Sequence, residues 1–329
     1  MGVWRGILRR SFLNFFRATL TLPAMALISL VIALLIEQWK PLAERKQLFA
    51  PVDRFASMLE GQFNAGQSRQ GMIAWALAIL PAMLLVWLVY SLLLHINPVL
   101  AIGFNVVMLY LTMGFRRFSH FFTDIQLAMR ADDIDQARRL LSDWRGQDCT
   151  ALPPDAVARL AIEQALAASH YNVFAVMFWF ILLPGPSGAV AYRMASYLAR
   201  RWQADQPELD QFGRFARRIY AIMEWLPTRL TAAAFAVVGD FEDAVYCWRN
   251  QAARWTDPLL GVVLAAGAGA IGVRLGGPIQ TDIAPEDRPD LGIGDEADAG
   301  FLDSTVGLVW RALVLWLLML LLLGLASIR

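Results

Sequence analysis

Four charge-free, mainly apolar runs constrain this chain more than anything else in it: Ala18–Ile36, Gly71–Leu94, Ile96–Phe115 and Ala312–Ile328. Roughly 17 to 25 consecutive apolar residues suffice for a helix to cross a hydrocarbon core, and inside that core every backbone donor and acceptor must find a partner within the protein. The runs predict an all-α, polytopic integral membrane protein with helical cytoplasmic segments between its spans. A composition that is 57% hydrophobic and only 17% charged excludes an ordinary soluble domain of 329 residues. A fifth apolar stretch, Val173–Tyr192, is interrupted by Pro184-Gly185-Pro186. Its two prolines remove two backbone donors, so it is expected to be a broken or re-entrant helix packed against protein rather than lipid.

Basic residues orient the spans. The tip His95-Ile96-Asn97-Pro98 lacks Lys and Arg, whereas the flanking segments carry Lys40, Arg45, Lys46, Arg54, Arg69, Arg116 and Arg117. The tip is expected outside and the flanks in the cytoplasm, as in a multi-pass protein of a bacterial-type inner membrane. Arg5, Arg9, Arg10 and Arg17 precede the first run, but Glu37-Gln38-Trp39-Lys40-Pro41 follows it in place of a small-residue cleavage pattern. That segment is expected to stay attached, with Trp4, Ile7, Leu8 and Phe12 lying along the interface in an amphipathic helix. The organisation reads as a membrane region with three apolar spans (1–115), a helical core (116–275), a loop rich in Gly, Pro and Asp (276–304) and a C-terminal transmembrane helix (305–329). Within the core, Phe118–Asp143 and Pro154–Ala168 have helical periodicity, and Leu127, Ile134, Ala137 and Leu141 mark one packing face.

Several function classes fall away. Cys149 and Cys247 lie in different polar stretches without metal-ligand spacing, so neither a disulfide framework nor zinc is indicated. With only His95, His120 and His170, no metal site is expected, and a net charge of +1 gives no sign of a nucleic-acid partner. A transporter would be expected to show an internal repeat with matched broken helices, and the chain has neither.

Candidate site residues come from cations in apolar surroundings. Glu224-Trp225-Leu226-Pro227-Thr228-Arg229-Leu230-Thr231 sets an arginine inside an apolar run that continues to Val238. An unpaired guanidinium there costs several kcal/mol and demands an anionic or carbonyl partner. Arg274 is a second such cation, within a run of small residues from Gly267 to Pro278. Glycines this dense could cradle a phosphate or allow close helix packing, although the lysine and hydroxyl partner of a P-loop are missing. Arg200, Arg201, Arg214, Arg217 and Arg218 fit anionic lipid or a phosphorylated ligand, or else a solvated face obeying the positive-inside rule. Arg218 stands close before the Arg229 block.

Taken in order, Phe178-Trp179, Gly188-Ala189-Val190-Ala191-Tyr192, Pro227-Thr228-Arg229-Leu230-Thr231 and Gly269–Pro278 resemble the CobD/CbiB family from about Phe115 to Arg311. Glu224–Leu230 and the Gly239, Ala244, Trp248 spacing are similar to the AmpE branch, an inner-membrane protein linked to β-lactamase induction signalling. The resemblance implies a membrane-bound adenosylcobinamide-phosphate synthase, which uses ATP to join an aminopropanol-type amine to a corrinoid carboxylate. The chain departs from that pattern. It keeps Glu163 but has Ala167, Ala168 and Tyr171 for Glu, Asn and Asp, Ser196 and Ala199 for Asn and Asp, and Tyr220 and Ala221 for a paired Asp-Asp. Alanine and tyrosine cannot hold magnesium as carboxylates do. Glu163, Glu224, Asp240, Glu242 and Asp243 would have to gather to replace them.

The resulting expectation is a divergent binding or regulatory member of the superfamily. Its cationic pocket would be formed by Arg229, Arg274 and Arg218 with Thr231, Tyr192, Gly276 and Gly277. The expected partners are the lipid bilayer and an anionic or amine-bearing small molecule or a partner protein. The alternative is the synthase itself, using ATP and magnesium, with Glu163 catalytic.

Overall fold

The computed structural model describes residues 24–39, 45–63, 68–202, 207–279 and 288–326, most of them helical. The interfacial helix expected around Trp4, Ile7, Leu8 and Phe12, and the Ala18–Pro23 start of the first run, lie outside the described residues. The chain begins with α1 (Ala24–Trp39), α2 (Arg45–Phe63), α3 (Ser68–Ile96) and α4 (Pro98–Thr112). It continues through α5 (Phe115–Arg130), α6 (Ile134–Arg145) and α7 (Pro154–Ser169), then a π-helical turn (His170–Phe174) that leads into α8 (Ala175–Leu182). The remaining helices are α9 (Ser187–Arg201), α10 (Pro207–Val238), α11 (Phe241–Gln251), α12 (Pro258–Ile271) and α13 (Ala299–Ala326). The protein is an all-α polytopic membrane protein.

Four stretches are long and apolar enough to cross a membrane: Ser68–Ile96, Pro154–Leu182, Leu209–Val238 and Ala299–Ala326. The first contains the expected Gly71–Leu94 run and the last covers Ala312 to Ala326 of the expected Ala312–Ile328 run, although α13 reaches back to Ala299, inside the stretch read as loop. The other two change the sequence reading, which assigned Pro154–Ala168 and Leu209–Val238 to the helical core between spans and Val173–Tyr192 to a broken or re-entrant helix. Arg214, Arg217 and Arg218 crowd the first part of Leu209–Val238 and mask the apolar remainder. Conversely, α4 has only 15 residues, about 22 Å of helix, short of a hydrocarbon core of about 30 Å. Asn97 caps it by accepting from the Val99 amide, Pro98 occupies its first turn, and it stops before Met113-Gly114.

Two local readings also change. Phe118–Asp143 is not one helix: Asp132 takes φ +60° and Asp133 caps α6 by accepting from the Gln136 amide. That break turns Leu127 out to 57% exposure, while Ala137 and Leu141 remain fully buried. The Pro184-Gly185-Pro186 interruption is real but lies at the end of the continuous Pro154–Leu182 helix rather than inside a span. Gly185 has φ +62°, and a Cβ there would sit 2.5 Å from the Tyr90 ring, so no larger residue fits.

At the centre, α12 is buried from Gly261 to Ala270. Its glycines serve close packing: a Cβ on Gly269 would approach the Asp243 carbonyl to 2.5 Å. After α12, a small sheet in the order β2-β1-β3 occupies part of the expected loop. Strand β1 (Val273–Gly276) pairs antiparallel with β2 (Asp290–Leu291) and parallel with β3 (Asp295–Glu296).

Candidate functional site

The buried face of the Glu224–Thr231 segment carries a polar cluster. Glu224, Thr228 and Thr231 follow helical spacing on α10 and meet His170 from the π-turn and Tyr192 from α9. His170 Nε2 lies 2.6 Å from Glu224 Oε2, and His170 Nδ1 lies 2.9 Å from Thr231 Oγ1. The Tyr192 hydroxyl donates to Glu224 Oε1, and Thr228 Oγ1 stands 3.4 Å from Oε2. A carboxylate only accepts, so Nε2 carries the hydrogen it shares with Glu224, and in the neutral ring Nδ1 accepts from Thr231. His170 and Glu224 are 1% and 3% exposed, burial that an unpaired carboxylate would not tolerate. The π-turn inserts one extra residue per turn, a device frequent at functional sites.

This cluster backs onto a cavity of about 660 Å³. Glu224 reaches its wall, together with Tyr171, Arg200, Arg217, Tyr220 and Asp257. Arg217 donates to the Trp202 carbonyl at 2.7 Å and to Asp210 Oδ1 at 2.7 Å. Asp257 caps α12, accepting from the Leu259 amide at 3.0 Å and the Leu260 amide at 3.4 Å. Arg200 lies 5.4 Å from the centre of the Tyr171 ring. Burial works against its charge, but Tyr220, Tyr171 and Tyr192 more than offset that and hold its pKa above the ordinary arginine value.

Of the sequence-predicted residues, Tyr192 and Thr231 belong to the cluster; the others lie elsewhere. Arg229 sits 4.2 Å over the Trp225 ring and donates to the Trp225 carbonyl at 2.8 Å, on the outer side of α10. Arg274 donates to the Gly294 carbonyl at 2.8 Å and lines a separate hollow of about 190 Å³ with Asp155, Arg159 and Asp290. The single pocket expected of Arg229 and Arg274 does not form, because each guanidinium has found a backbone carbonyl near its own helix or strand. Arg218 is exposed on α10. Glu163 is clamped by Arg288 (2.7 and 2.9 Å) and by the Gly276 amide (2.8 Å). Gly276 and Gly277 are both at positive φ; Gly276 completes that clamp through its amide, and Gly277 lines the 190 Å³ hollow beside Arg274. Asp240 caps α11, with Glu242 and Asp243 in that helix's first turn, so the replacement acids do not gather. His170 entered the sequence reading only as one of three histidines; its place in a short polar island, Ser169-His170-Tyr171-Asn172, between apolar Ala168 and Val173 was the available signal.

Comparison with known proteins places this geometry. The model of the family described as "CobD/Cbib protein" matches residues 24–309. The chain belongs to the CobD/CbiB family. It is 36% identical over 298 residues to a protein of Stutzerimonas stutzeri strain A1501 named "Cobalamin biosynthesis protein CobD", covering 89% of this chain and 96% of that one. A Chromobacterium violaceum protein of the same name is 34% identical over 296 residues, covering 87% and 93%. The Salmonella typhimurium "Cobalamin biosynthesis protein CbiB" is 24% identical over 257 residues, covering 76% and 80%. No solved structure matches the chain.

Within this CobD/CbiB member, six of the seven changed positions at which the resemblance puts acids and amides in synthases converge. Ala167, Ala168, Tyr171, Ala199, Tyr220 and Ala221 line the 660 Å³ cavity, and the seventh, Ser196, is buried behind it, 3.4 Å from the Tyr220 hydroxyl. Magnesium does not fit them. The carboxylates of the cavity wall are Glu224, holding His170, Tyr192 and Thr228, and Asp257, holding two amides of α12. Among the described residues there is no group of three or more metal-ligating side chains.

Proposed function

We propose that this protein serves cobalamin biosynthesis in the inner membrane at the adenosylcobinamide-phosphate synthase step, with the 660 Å³ cavity as its substrate site. The observation that carries this reading is the convergence of six positions, spread from Ala167 to Ala221, on one hollow. Two relatives matched along most of their length bear the name "Cobalamin biosynthesis protein CobD", which supports it.

The chemistry required of the protein is to hold an amine against a carboxyl carbon that ATP, as co-substrate, would have activated, and to take the amine's proton as the C–N bond forms and the C–O bond to the ATP-derived leaving group breaks, since only the neutral amine attacks. Glu224 is suited to this. A carboxylate has about four acceptor positions, and here His170, Tyr192 and Thr228 take three while the Tyr220 phenol, itself on the cavity wall, meets the group on its cavity side, where a ligand's amine would take its place. His170 and Tyr192 fix the group's orientation and moderate its change of charge. No step is assigned to magnesium.

The test is rescue of a bacterial strain that lacks its cobinamide-phosphate synthase, followed by detection of the amide product with purified protein. Failure of rescue by protein confirmed to be in the membrane overturns the ligase reading. A second reading, a binding or regulatory protein, is favoured by the alanines and tyrosines that stand where synthases have acids. It predicts ligand binding in the same cavity without amide formation.

A further inference from the structure

Arg200 is a cation of the cavity wall that the proposed chemistry does not use. Of its neighbours in the basic stretch, Arg214 and Arg218 are exposed on α10 and away from the wall, and the other two have structural partners. Arg201 ties α9 to α2 through Asp53 and Glu60, and Arg217 holds Asp210 and the end of α9. Arg200 instead projects into the cavity, where it stays accessible, with the Tyr171 ring and the Tyr220 phenol beside it. Among the described residues no carboxylate lies within ion-pair distance of it. The two acids of the cavity wall already serve the Glu224 cluster and the α12 cap.

Of the four charged residues of the wall, Arg217, Glu224 and Asp257 are held by partners within the fold, and Arg200 is left with its charge unmatched by a carboxylate, between Tyr171, Ala199 and Tyr220. We propose that the cavity holds a metal-independent anion subsite, centred on Arg200 with the hydroxyls of Tyr171 and Tyr220, that takes the phosphoryl group of a ligand. A guanidinium offers a rigid fork of donors that matches phosphoryl oxygens in pairs. Donors from the π-turn, α9 and α10 outnumber what a two-oxygen carboxylate would use. The inference rests on reading this cavity as the ligand site and is independent of whether amide formation occurs there.

The test is titration calorimetry of the full-length protein in detergent with inorganic pyrophosphate and excess EDTA. Wild type is expected to bind, with an affinity unchanged by added magnesium. Arg200→Gln is expected to bind about tenfold more weakly or worse. Arg200→Lys keeps the charge but loses the fork, and falls between the two. Arg229→Gln, outside the cavity, is expected to match wild type. Unfolding midpoints of the variants separate lost binding from lost fold. A requirement for magnesium, equal affinity in Arg200→Gln, or no binding by wild type overturns the proposal. The phosphoryl source is read by repeating the titration in nanodiscs of phosphatidic acid and of phosphatidylcholine. Competition by phosphatidic acid identifies a lipid headgroup, and its absence a free phosphorylated molecule; both uphold the subsite. Pyrophosphate binding without rescue of the synthase-deficient strain would sink the ligase reading and leave the subsite standing.

Discussion

Two buried carboxylates of this protein look alike in the sequence and differ in what surrounds them. Glu163 meets a bidentate guanidinium and a backbone amide, and joins α7 to β1 and to Arg288 just before β2. Glu224 meets a histidine, two phenols and a threonine hydroxyl, and reaches the wall of a cavity. Glu163 has its charge matched by a fixed cation, as in a clasp. Glu224 has its charge spread over groups of small or variable charge beside a hollow, as the proposed role requires. Burial alone does not distinguish the two; the kind of partner and the neighbouring cavity do.

The largest effect should come from breaking the clasp. Glu163→Ala leaves the Arg288 guanidinium, 9% exposed, without its partner, and should lower stability by about 3–5 kcal/mol. Thermal unfolding in detergent checks this, and the double variant Glu163→Ala/Arg288→Ala should recover part of the loss. An unchanged midpoint would show that Glu163 is not the clasp described. Next comes Glu224→Gln, which keeps shape and removes charge. It should abolish rescue of a synthase-deficient strain while lowering stability by about 1–3 kcal/mol, because donors built for a carboxylate meet an amide. Full rescue by this variant would place both glutamates in the structural class. Tyr192→Phe removes one donor from Glu224 and should cost about 1 kcal/mol. Its effect on rescue should be partial, since His170 still orients the carboxylate.

The architecture was legible where hydrophobicity was continuous. Gly71–Leu94 and Ala312 onward appear as helices, and Pro184-Gly185-Pro186 stops one, since prolines cannot supply the missing donors. Leu209–Val238 was hidden because most of its charges, Asp210, Arg214, Arg217 and Arg218, lie at one end, and averaging them with the rest of a polar stretch concealed the apolar remainder. The small sheet was hidden because strands of two to four residues carry too little periodicity to register. At the candidate site, the sequence drew attention to Arg229 because its guanidinium looked costly. The buried polar side chains of the same segment face the other way, toward a histidine over fifty residues earlier in the chain. Sequence spacing does not report which face of a helix meets a distant element.

Arg229 therefore offers the smallest effect and the sharpest control. Its two visible partners, the Trp225 ring and the Trp225 carbonyl one helical turn back, both come from its own helix. A contact of that kind is worth about 0.5–1 kcal/mol, and it satisfies the guanidinium without reference to the cavity. Arg229→Gln should shift the unfolding midpoint little and leave rescue of the synthase-deficient strain intact. The reason is geometric: Arg229 stands one residue after Thr228, about 100° around the helix, so it turns away from the wall that Glu224 and Thr228 share. If Arg229→Gln abolished rescue in a folded protein while Glu224→Gln did not, the functional face of α10 would be the outer one.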